Sequence, residues 1–172
     1  MPGKFLGVDV AAFEYRVTKY DPANRDPDGR YLADDWTDVT DVGHVFAGNT
    51  LTREDYLRVE TAYVQAARRF MEEAGVGSLA INDLEVHTAS LGADLRVREG
   101  ALVEGEALER VCRLALRSEI WCRLEAPGAF IHFGWDYYMY LGVPRRCPRA
   151  EGRAGDDGLF VEPFASPYFR AG

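Results

Sequence analysis

Cys122 and His132 are the residues of this sequence whose side chains come nearest to a catalytic pair. If a loop of residues 126–128 closes a β-hairpin, the two side chains lie opposite each other on neighbouring strands. A thiolate with a histidine as its base is the arrangement of a nucleophilic enzyme, but it needs an electropositive, partly open environment and a third group that orients the histidine. The sequence supplies neither. We therefore predict two buried structural residues, and keep as the alternative a small enzyme or ligand-binding domain with a pocket near Cys122 and His132.

An acidic stretch, residues 24–35, has part of the spacing of a calcium-binding loop. Asn24, Asp26, Asp28 and Asp35 take the first, third, fifth and twelfth positions, where oxygen ligands would surround the ion. The last position normally holds a glutamate, a proline interrupts the loop, and a strand rather than a helix precedes it. Asp-Pro-Asp-Gly is also an ordinary turn sequence. A solvated acidic turn is the favoured interpretation, and cation binding is left open.

Other motifs of enzymes and cofactor-binding proteins are missing from the sequence. The three cysteines, Cys112, Cys122 and Cys147, are far apart, and no Cys-x-x-Cys or His-x-x-x-His pair begins a zinc site. There is no glycine-rich phosphate loop and no Gly-x-Ser-x-Gly motif. We predict no metal, no cofactor and no catalytic residue, and the balance leans against an enzyme.

Charge and cysteine usage restrict the partner and the compartment. The 172 residues carry a formal net charge of -8, which repels phosphate backbones and anionic lipid and favours a basic protein as partner over nucleic acid or a membrane. An odd number of widely spaced cysteines suits free thiols in a reducing cytoplasm. The N-terminal apolar run is broken by Asp9 and Glu14, so it lacks the centre of a secretory signal. We expect a soluble cytoplasmic protein.

The segment AFIHFGWDYYMYL, residues 129–141, carries the strongest binding signal because it concentrates aromatic residues that favour strands. A turn at Gly134-Trp135 would fold it into a hairpin, and residues 119–125 would add a third strand. One face of this meander would be apolar and lie under the helices, with Ile120, Cys122, Leu124, Phe130, His132, Tyr137, Met139 and Leu141. The other face, which we call the mixed face, would combine rings with charges in Trp121, Arg123, Glu125, Ile131, Phe133, Asp136, Tyr138 and Tyr140.

The open mixed face and the turn-rich acidic residues 21–41 together predict a binding surface for a basic protein. Aromatic residues and arginine dominate the energetics of protein interfaces, and carboxylates speed the encounter with a cationic partner. The predicted partner-binding residues are Asp34, Asp35, Asp38, Trp121, Arg123, Asp136, Tyr138 and Tyr140. A structural subunit that self-associates through the same face is a further alternative, so the oligomeric state stays open.

Periodicity predicts the elements that must position these residues. We expect strands over residues 13–20, 78–87 with a bulge at 82–83, 94–99 and 159–162, helices over 52–75 and 104–117, and a mobile loop over 143–158. Together with the meander, these elements predict a single α+β domain spanning residues 1–172. Its mostly antiparallel sheet would have about six strands, with two main helices packed on one face.

Three segments also carry a resemblance to a known group of proteins. They are RVTKYDP with the following DPDGRYLADDWTDVTDVG, then LTREDYLRVETAYVQAARRFMEEAGV, and finally IWCRLEAPGAFIHFGWDYYMYLG. Their order is similar to that in a family of small uncharacterised bacterial proteins, which in size, acidity and lack of catalytic motifs resemble the immunity proteins that neutralise polymorphic toxins. The resemblance implies a protein that works by occupying another protein, and it carries over no functional residues.

Overall fold

A seven-stranded antiparallel sheet forms the centre of the molecule. The computed structural model describes residues 11–89 and 96–169, together with the short strands at residues 4–5 and 8–9. In chain order the strands are β1 (Lys4–Phe5), β2 (Val8–Asp9), β3 (Phe13–Thr18), β4 (Val45–Phe46), β5 (Asn49–Thr50), β6 (Leu79–Val86), β7 (Leu102–Val103), β8 (Ile120–Ala126), β9 (Ala129–Phe133), β10 (Met139–Val143) and β11 (Phe160–Pro163). The helices are α1 (Arg53–Ala74), α2 (Gly105–Leu116) and α3 (Pro148–Asp156).

The order of strands across the sheet is β11-β3-β10-β9-β8-β6-β7, while β1-β2 and β4-β5 form separate two-stranded pairs. The α+β class and the antiparallel sheet are confirmed, and the described residues form seven strands of the main sheet in place of about six and three helices in place of two. All three helices contribute to one core with the inward side chains of the strands, since alternate residues of β8, such as Ile120, Cys122 and Leu124, are buried there. Burial of one strand face beneath helices is the main stabilising contribution to such a layer.

The helix α1 begins and ends where its sequence predicts. The Thr52 side chain accepts a hydrogen bond from the Asp55 N–H at 3.0 Å, and Gly75 ends the helix in the left-handed conformation with φ +75°. Tyr56, Tyr63 and similarly spaced apolar residues form the buried side of the helix. The expected helix at residues 104–117 is likewise confirmed as α2.

The expected bulge in β6 is also confirmed, and it explains an unusual carboxylate contact. Asp83 has φ +53°, and the pairing of β6 with β8 shifts between Asn82 and Glu85. The displaced N–H groups of Asp83 and Leu84 both donate to the Glu99 carboxylate, at 3.0 and 2.8 Å. Residues 96–99 form turns instead of the expected strand, and residues 94–95 lie outside the described part of the chain.

The prediction of a loop over residues 143–158 is wrong for most of its length, because residues 148–156 form α3. The carboxylate of Glu73 on α1 accepts the N–H groups of Arg149 and Ala150, at 3.2 and 2.7 Å, where the first turn has no partners of its own. Ala150 and Ala154, four residues apart, are buried. Glycines and arginines hide this period in the sequence, and the stabilising carboxylate comes from a distant segment.

The predicted register between β8 and β9 is wrong by one residue, which turns over β9. Ala126 pairs with Ala129, so the turn holds two residues instead of three and His132 lies opposite Arg123 rather than Cys122. A one-residue shift moves every side chain of a strand to the other side of the sheet. Phe130 and His132, expected in the core, therefore lie on the mixed face, and Ile131 and Phe133, expected on the mixed face, lie in the core.

Replacing Gly142 by alanine tests how closely the mixed face of the sheet is packed around Phe130. A β-carbon added at Gly142 would overlap the Phe130 ring and lie 2.8 Å from Cβ of Ala11. Because Phe130 is itself buried, we expect the free energy of unfolding to fall by about 1–3 kcal/mol in urea titrations. The matched control is Gly152→Ala within α3, where no atom lies within 4 Å of the new β-carbon. The control should raise the free energy of unfolding by about 0.5–1 kcal/mol, and equal effects of the two substitutions would contradict the packing described here.

Candidate binding site at one end of the sheet

Two segments meet at one end of the sheet and form the candidate site. They are the acidic segment, residues 21–41, and the five-residue loop between β9 and β10, residues 134–138, which we call the β9–β10 loop. The hydroxyl of Tyr20 donates to the backbone carbonyl of Asp136 at 2.6 Å and so joins the start of the acidic segment to the loop. The loop replaces the expected two-residue turn at Gly134-Trp135, since Phe133 pairs with Met139.

The β9–β10 loop holds two successive residues in the left-handed conformation. Asp136 has φ +62° and Tyr137 has φ +66°. A bulky residue in this region is strained by about 1–3 kcal/mol and persists only where its surroundings fix it. Here the Gly134 N–H donates to the Tyr138 carbonyl at 2.8 Å, and the buried Tyr63 hydroxyl donates to the Tyr137 carbonyl at 2.8 Å. The loop backbone is therefore held from both sides.

A buried chain of polar groups holds the side chain of Tyr137. Its hydroxyl donates to the Tyr56 hydroxyl at 2.7 Å, and Tyr56 donates to Oε2 of Glu60 at 2.8 Å. Arg117 at the end of α2 completes the chain with two hydrogen bonds to the Glu60 carboxylate, at 2.7 and 2.8 Å. Burial raises the pKa of both tyrosines, and the hydrogen bond to Glu60 raises the pKa of Arg117. Both tyrosines therefore stay protonated and Arg117 stays charged at neutral pH.

The result of this anchoring is an exposed tryptophan. Trp135 is 63% exposed at the tip of the β9–β10 loop, and Asp136 beside it is exposed as well. Leu32 of the acidic segment is 64% exposed. Large apolar side chains in water, on a backbone that is already fixed, are a feature of binding surfaces.

The predicted acidic residues differ in how much of their charge is available. Asp34 is exposed, although one oxygen accepts the Ala47 N–H at 2.7 Å. Asp35 is half-buried against the Lys19 ammonium at 2.7 Å, and Asp38 caps a short helix. Burial lowers the pKa of Lys19, while the Asp35 carboxylate opposes that shift. Of these three aspartates, Asp34 has the most freedom to meet a partner.

The mixed face of the sheet is covered, contrary to the expectation of an open face. Residues 164–169, which we call the C-terminal strap, cross it. Tyr140 is buried, with its ring centre 5.8 Å from that of Phe164 and 5.9 Å from that of Tyr168. The indole of Trp121 lies 5.8 Å from the Tyr168 ring, and its N–H donates to the Phe133 carbonyl at 3.0 Å. Trp121 and Tyr140 therefore contribute to internal packing.

The other two predicted residues of the mixed face are also engaged within the chain. Arg123 forms ion pairs with Asp83 at 2.6 Å and with Glu125 at 3.2 Å. Tyr138 is half-buried and accepts a hydrogen bond from Nη1 of Arg25 at 3.0 Å. The structure thus brings Asp136 and Tyr138 to the candidate site and leaves Trp121, Arg123 and Tyr140 under or beside the strap.

Cys122 and His132 do not form a catalytic pair, because they lie on opposite faces of the sheet. Burial raises the pKa of the Cys122 thiol to about 12. Burial also lowers the pKa of His132 to about 3, and the positive charge of Arg123 adds to that shift. A thiol and an imidazole shifted in these directions are a poor nucleophile and a poor base at neutral pH. The alternative of an enzyme or ligand pocket lined by this pair is wrong in its expectation that the two side chains face each other.

The calcium-like spacing does not gather its ligands around one point. Asp26 accepts the N–H groups of Asp28 and Arg30, at 3.0 and 2.9 Å, and Asp35 pairs with Lys19. Across residues 11–89 and 96–169, no group of three or more histidine, cysteine or carboxylate side chains is arranged to hold a metal ion.

Comparison of this chain with protein-family models, with curated proteins and with solved structures gives no match. Within the described part of the chain, none of the helices combines the length and the apolar character needed to cross a membrane. The assignment of the candidate site therefore rests on its geometry.

Sequence reasoning missed Trp135, Leu32 and the C-terminal strap. The sequence predicts a turn at Trp135, and a tryptophan in a turn cannot bury its ring against its sequence neighbours. A tryptophan at a predicted turn is therefore the signal that could have identified this exposed residue. The strap has an aromatic signal of its own in Tyr168 and Phe169, but no periodicity that would mark it as an ordered segment.

Replacing Tyr56 by phenylalanine tests the buried polar chain. The substitution leaves the Tyr137 hydroxyl without its acceptor and removes one of the two hydrogen bonds to Oε2 of Glu60. We therefore expect the free energy of unfolding to fall by about 1–3 kcal/mol in urea titrations. Tyr140→Phe is the matched control, because its hydroxyl forms no hydrogen bond with the described residues. A Tyr56→Phe variant as stable as the control would show that the chain does not stabilise the loop.

Proposed function

We propose that this protein is a non-catalytic protein-binding domain, which docks a basic partner protein at the end of the sheet that displays Trp135. The observation that carries the proposal is the exposure of Trp135 on a loop whose backbone is fixed by buried tyrosine hydroxyls. The sequence resemblance favours one form of this function, an immunity-type protein of the cytoplasm that neutralises a basic toxin or enzyme.

The fixed loop supports binding because it reduces the entropy lost on association. Ordering a mobile side chain or loop at an interface opposes binding, whereas a segment already held in place avoids that loss. Tyr20 and Tyr63 hold the carbonyls of Asp136 and Tyr137, the residues that follow Trp135. Tryptophan is also the residue most enriched among those that dominate interface energies. Trp135 accordingly serves as the anchor of the proposed interface.

The charge around the anchor supports a basic partner. The acidic segment holds seven aspartates and two arginines, so its formal net charge is -5, out of -8 for the chain. Asp34 of this segment is exposed, and so is Asp136, which follows Trp135 in the β9–β10 loop. A surface of one sign steers a partner of the opposite sign and raises the association rate.

Replacing Trp135 by alanine tests the anchor. We expect the affinity for the partner to fall by about 2 kcal/mol, mainly through faster dissociation, because a central aromatic contact is lost. Affinity capture from the lysate of the native host, with wild-type and variant proteins as baits, identifies the partner as the protein that wild type retains and Trp135→Ala loses. Dissociation is then measured by surface plasmon resonance.

The matched control for the anchor is Leu102→Ala. Leu102 is 71% exposed on β7, the edge strand of the sheet, outside the proposed surface. The control should retain the same partner with an unchanged dissociation rate. If Trp135→Ala and Leu102→Ala behave alike, the proposed site is wrong.

Replacing Asp34 and Asp136 together by asparagine tests electrostatic steering. Asparagine keeps the side-chain oxygen at Asp34 and tolerates the left-handed conformation at position 136, so the fold should be preserved. We expect the association rate at low ionic strength to fall roughly three- to tenfold and its salt dependence to become flatter. The pair Glu106→Gln and Asp156→Asn removes the same charge from exposed positions on α2 and α3. Equal association rates for the two double variants would argue against steering by this surface.

A further inference from the structure

The C-terminal strap covers a set of aromatic side chains on the face of the sheet that carries no helix. Its Tyr168 ring packs on Trp121 and Tyr140, and the Phe169 ring lies 4.6 Å from that of Phe130. Phe169 itself is 41% exposed. Of the six strap residues, four are exposed, while Tyr140 and Phe130 beneath them are buried.

Among the described residues, few polar contacts hold the strap. At its start the Phe164 N–H donates to the backbone carbonyl of Glu14 at 3.2 Å, and two further contacts are longer. The Ser166 N–H donates to the Glu14 carboxylate at 3.4 Å, and Arg123 donates to the Tyr168 carbonyl at 3.5 Å. The short contact is the one between Oγ of Ser166 and Nδ1 of His132, at 2.7 Å. His132 is thus the centre of the polar attachment.

His132 is enclosed on every side. It has no exposed surface, its ring stacks on Phe130 at 4.3 Å and meets Phe169 at 5.0 Å, and Nε2 is buried without a hydrogen-bond partner among the described residues. A neutral imidazole leaves Nε2 with one unmet hydrogen bond. An imidazolium would place a charged N–H there with no acceptor among the described residues, which is far less favourable.

Charged and titratable groups face His132 from β8, from β10 and from the strap. Arg123 of β8 lies directly opposite and disfavours a second positive charge, although Glu125 and Asp83 neutralise part of it. On β10 the opposite residue is Tyr140, which stays neutral in acid. The strap contributes Tyr168, also neutral in acid.

Farther across the sheet, β3 presents two groups to the strap side and β11 presents one. Glu14 accepts the Ser166 N–H, and Arg16 pairs with Glu162 at 3.2 Å. Among the described residues, Glu14 is thus a carboxylate in direct contact with the strap, and a test must separate its effect from that of His132.

We propose that the C-terminal strap is an acid-released latch, in which protonation of buried His132 drives the strap off the sheet and uncovers the aromatic face. Opening admits water to Nε2 and removes the Tyr168 and Phe169 rings from the imidazole. The rest of the fold stays closed, because the helices and the core lie on the other side of the sheet.

The size of the effect follows from the two protonation equilibria. The pKa of His132 is about 3 under the strap against 6.5 for a solvated histidine, so protonation favours the open arrangement by up to about three thousandfold. The closed arrangement keeps its full stability above pH 6.5 and loses it as the pH falls towards 3. If closed molecules outnumber open ones about a hundredfold at neutral pH, the two arrangements would be equally populated at roughly pH 4.5.

The test is an NMR pH titration of the full chain from pH 7.5 to 3.5. The ring signals of the three histidines, the amides of residues 166–169 and the amides of α1 are followed together. We expect His132 and the strap amides to change with one shared midpoint, while the α1 amides keep their positions and their protection from hydrogen exchange. A strap that stays in place while His132 titrates, or α1 amides lost at the same midpoint, would overturn the latch.

Two variants separate His132 from Glu14. His132→Gln removes the titrating group and keeps Glu14, so the strap should stay closed throughout the titration. A strap that still opens at the wild-type midpoint in this variant would overturn the assignment to His132. Ser166→Ala weakens the closed arrangement and should move the midpoint upward towards 6.5. If His132→Gln fails to fold, this second variant decides, and an unchanged midpoint would refute the latch.

Discussion

The buried carboxylate of Glu60 is the interaction on which the shape of the candidate site depends. It accepts two hydrogen bonds from Arg117 and one from Tyr56, and it thereby ties α1 to the end of α2 and, through Tyr137, to the β9–β10 loop. A buried charge is tolerable only when it is paired and its remaining lone pairs are satisfied. Because each group completes the next, the loss of any one leaves an unsatisfied polar group in the core. The strained backbone at Tyr137 persists because this chain holds its side chain.

The two faces of the sheet are covered in different ways, and this difference organises the rest of the molecule. Helices bury the face that carries Ile120, Cys122 and Leu124, with the continuous packing of a core. A strap of six residues covers the other face through rings and a few polar contacts. Fewer contacts mean a smaller free energy of local opening, so the strap is the part of the sheet's covering that can respond to conditions.

Much of the acidic segment is used to hold its own fold. Asp26 and Asp38 accept backbone N–H groups, and Asp35 neutralises Lys19, whose ammonium lies 4.2 Å from the centre of the Trp36 ring. The aspartates of this segment thus have two roles, because they cap turns and also give the surface its negative charge. The exposed carboxylates that remain, together with the exposed side chains of Trp135 and Leu32, define the surface proposed for a basic partner.

The sequence by itself determined the elements whose signals are local. The Thr52 cap, the glycine at Gly75, the bulge at residues 82–83 and the alternation of the strands all depend on neighbours a few residues away, and they predicted α1, α2, most strands and the α+β class. Asp34, Asp136 and Tyr138 are also predicted from the sequence as partner-binding residues, and this role stays a prediction.

Only the tertiary structure decided which face each side chain of β9 occupies, because the register depends on one residue in a turn, and a shift of one moves His132 from the core to the strap side. It also decided that residues 148–156 are helical, since Glu73 from α1 supplies the carboxylate at the start of α3. The exposure of Trp135 was decided in the same way, because the hydroxyls of Tyr20 and Tyr63 hold its loop from distant parts of the chain. Contacts between residues far apart in sequence leave no local period, and for that reason the candidate site could not be assembled from the sequence alone.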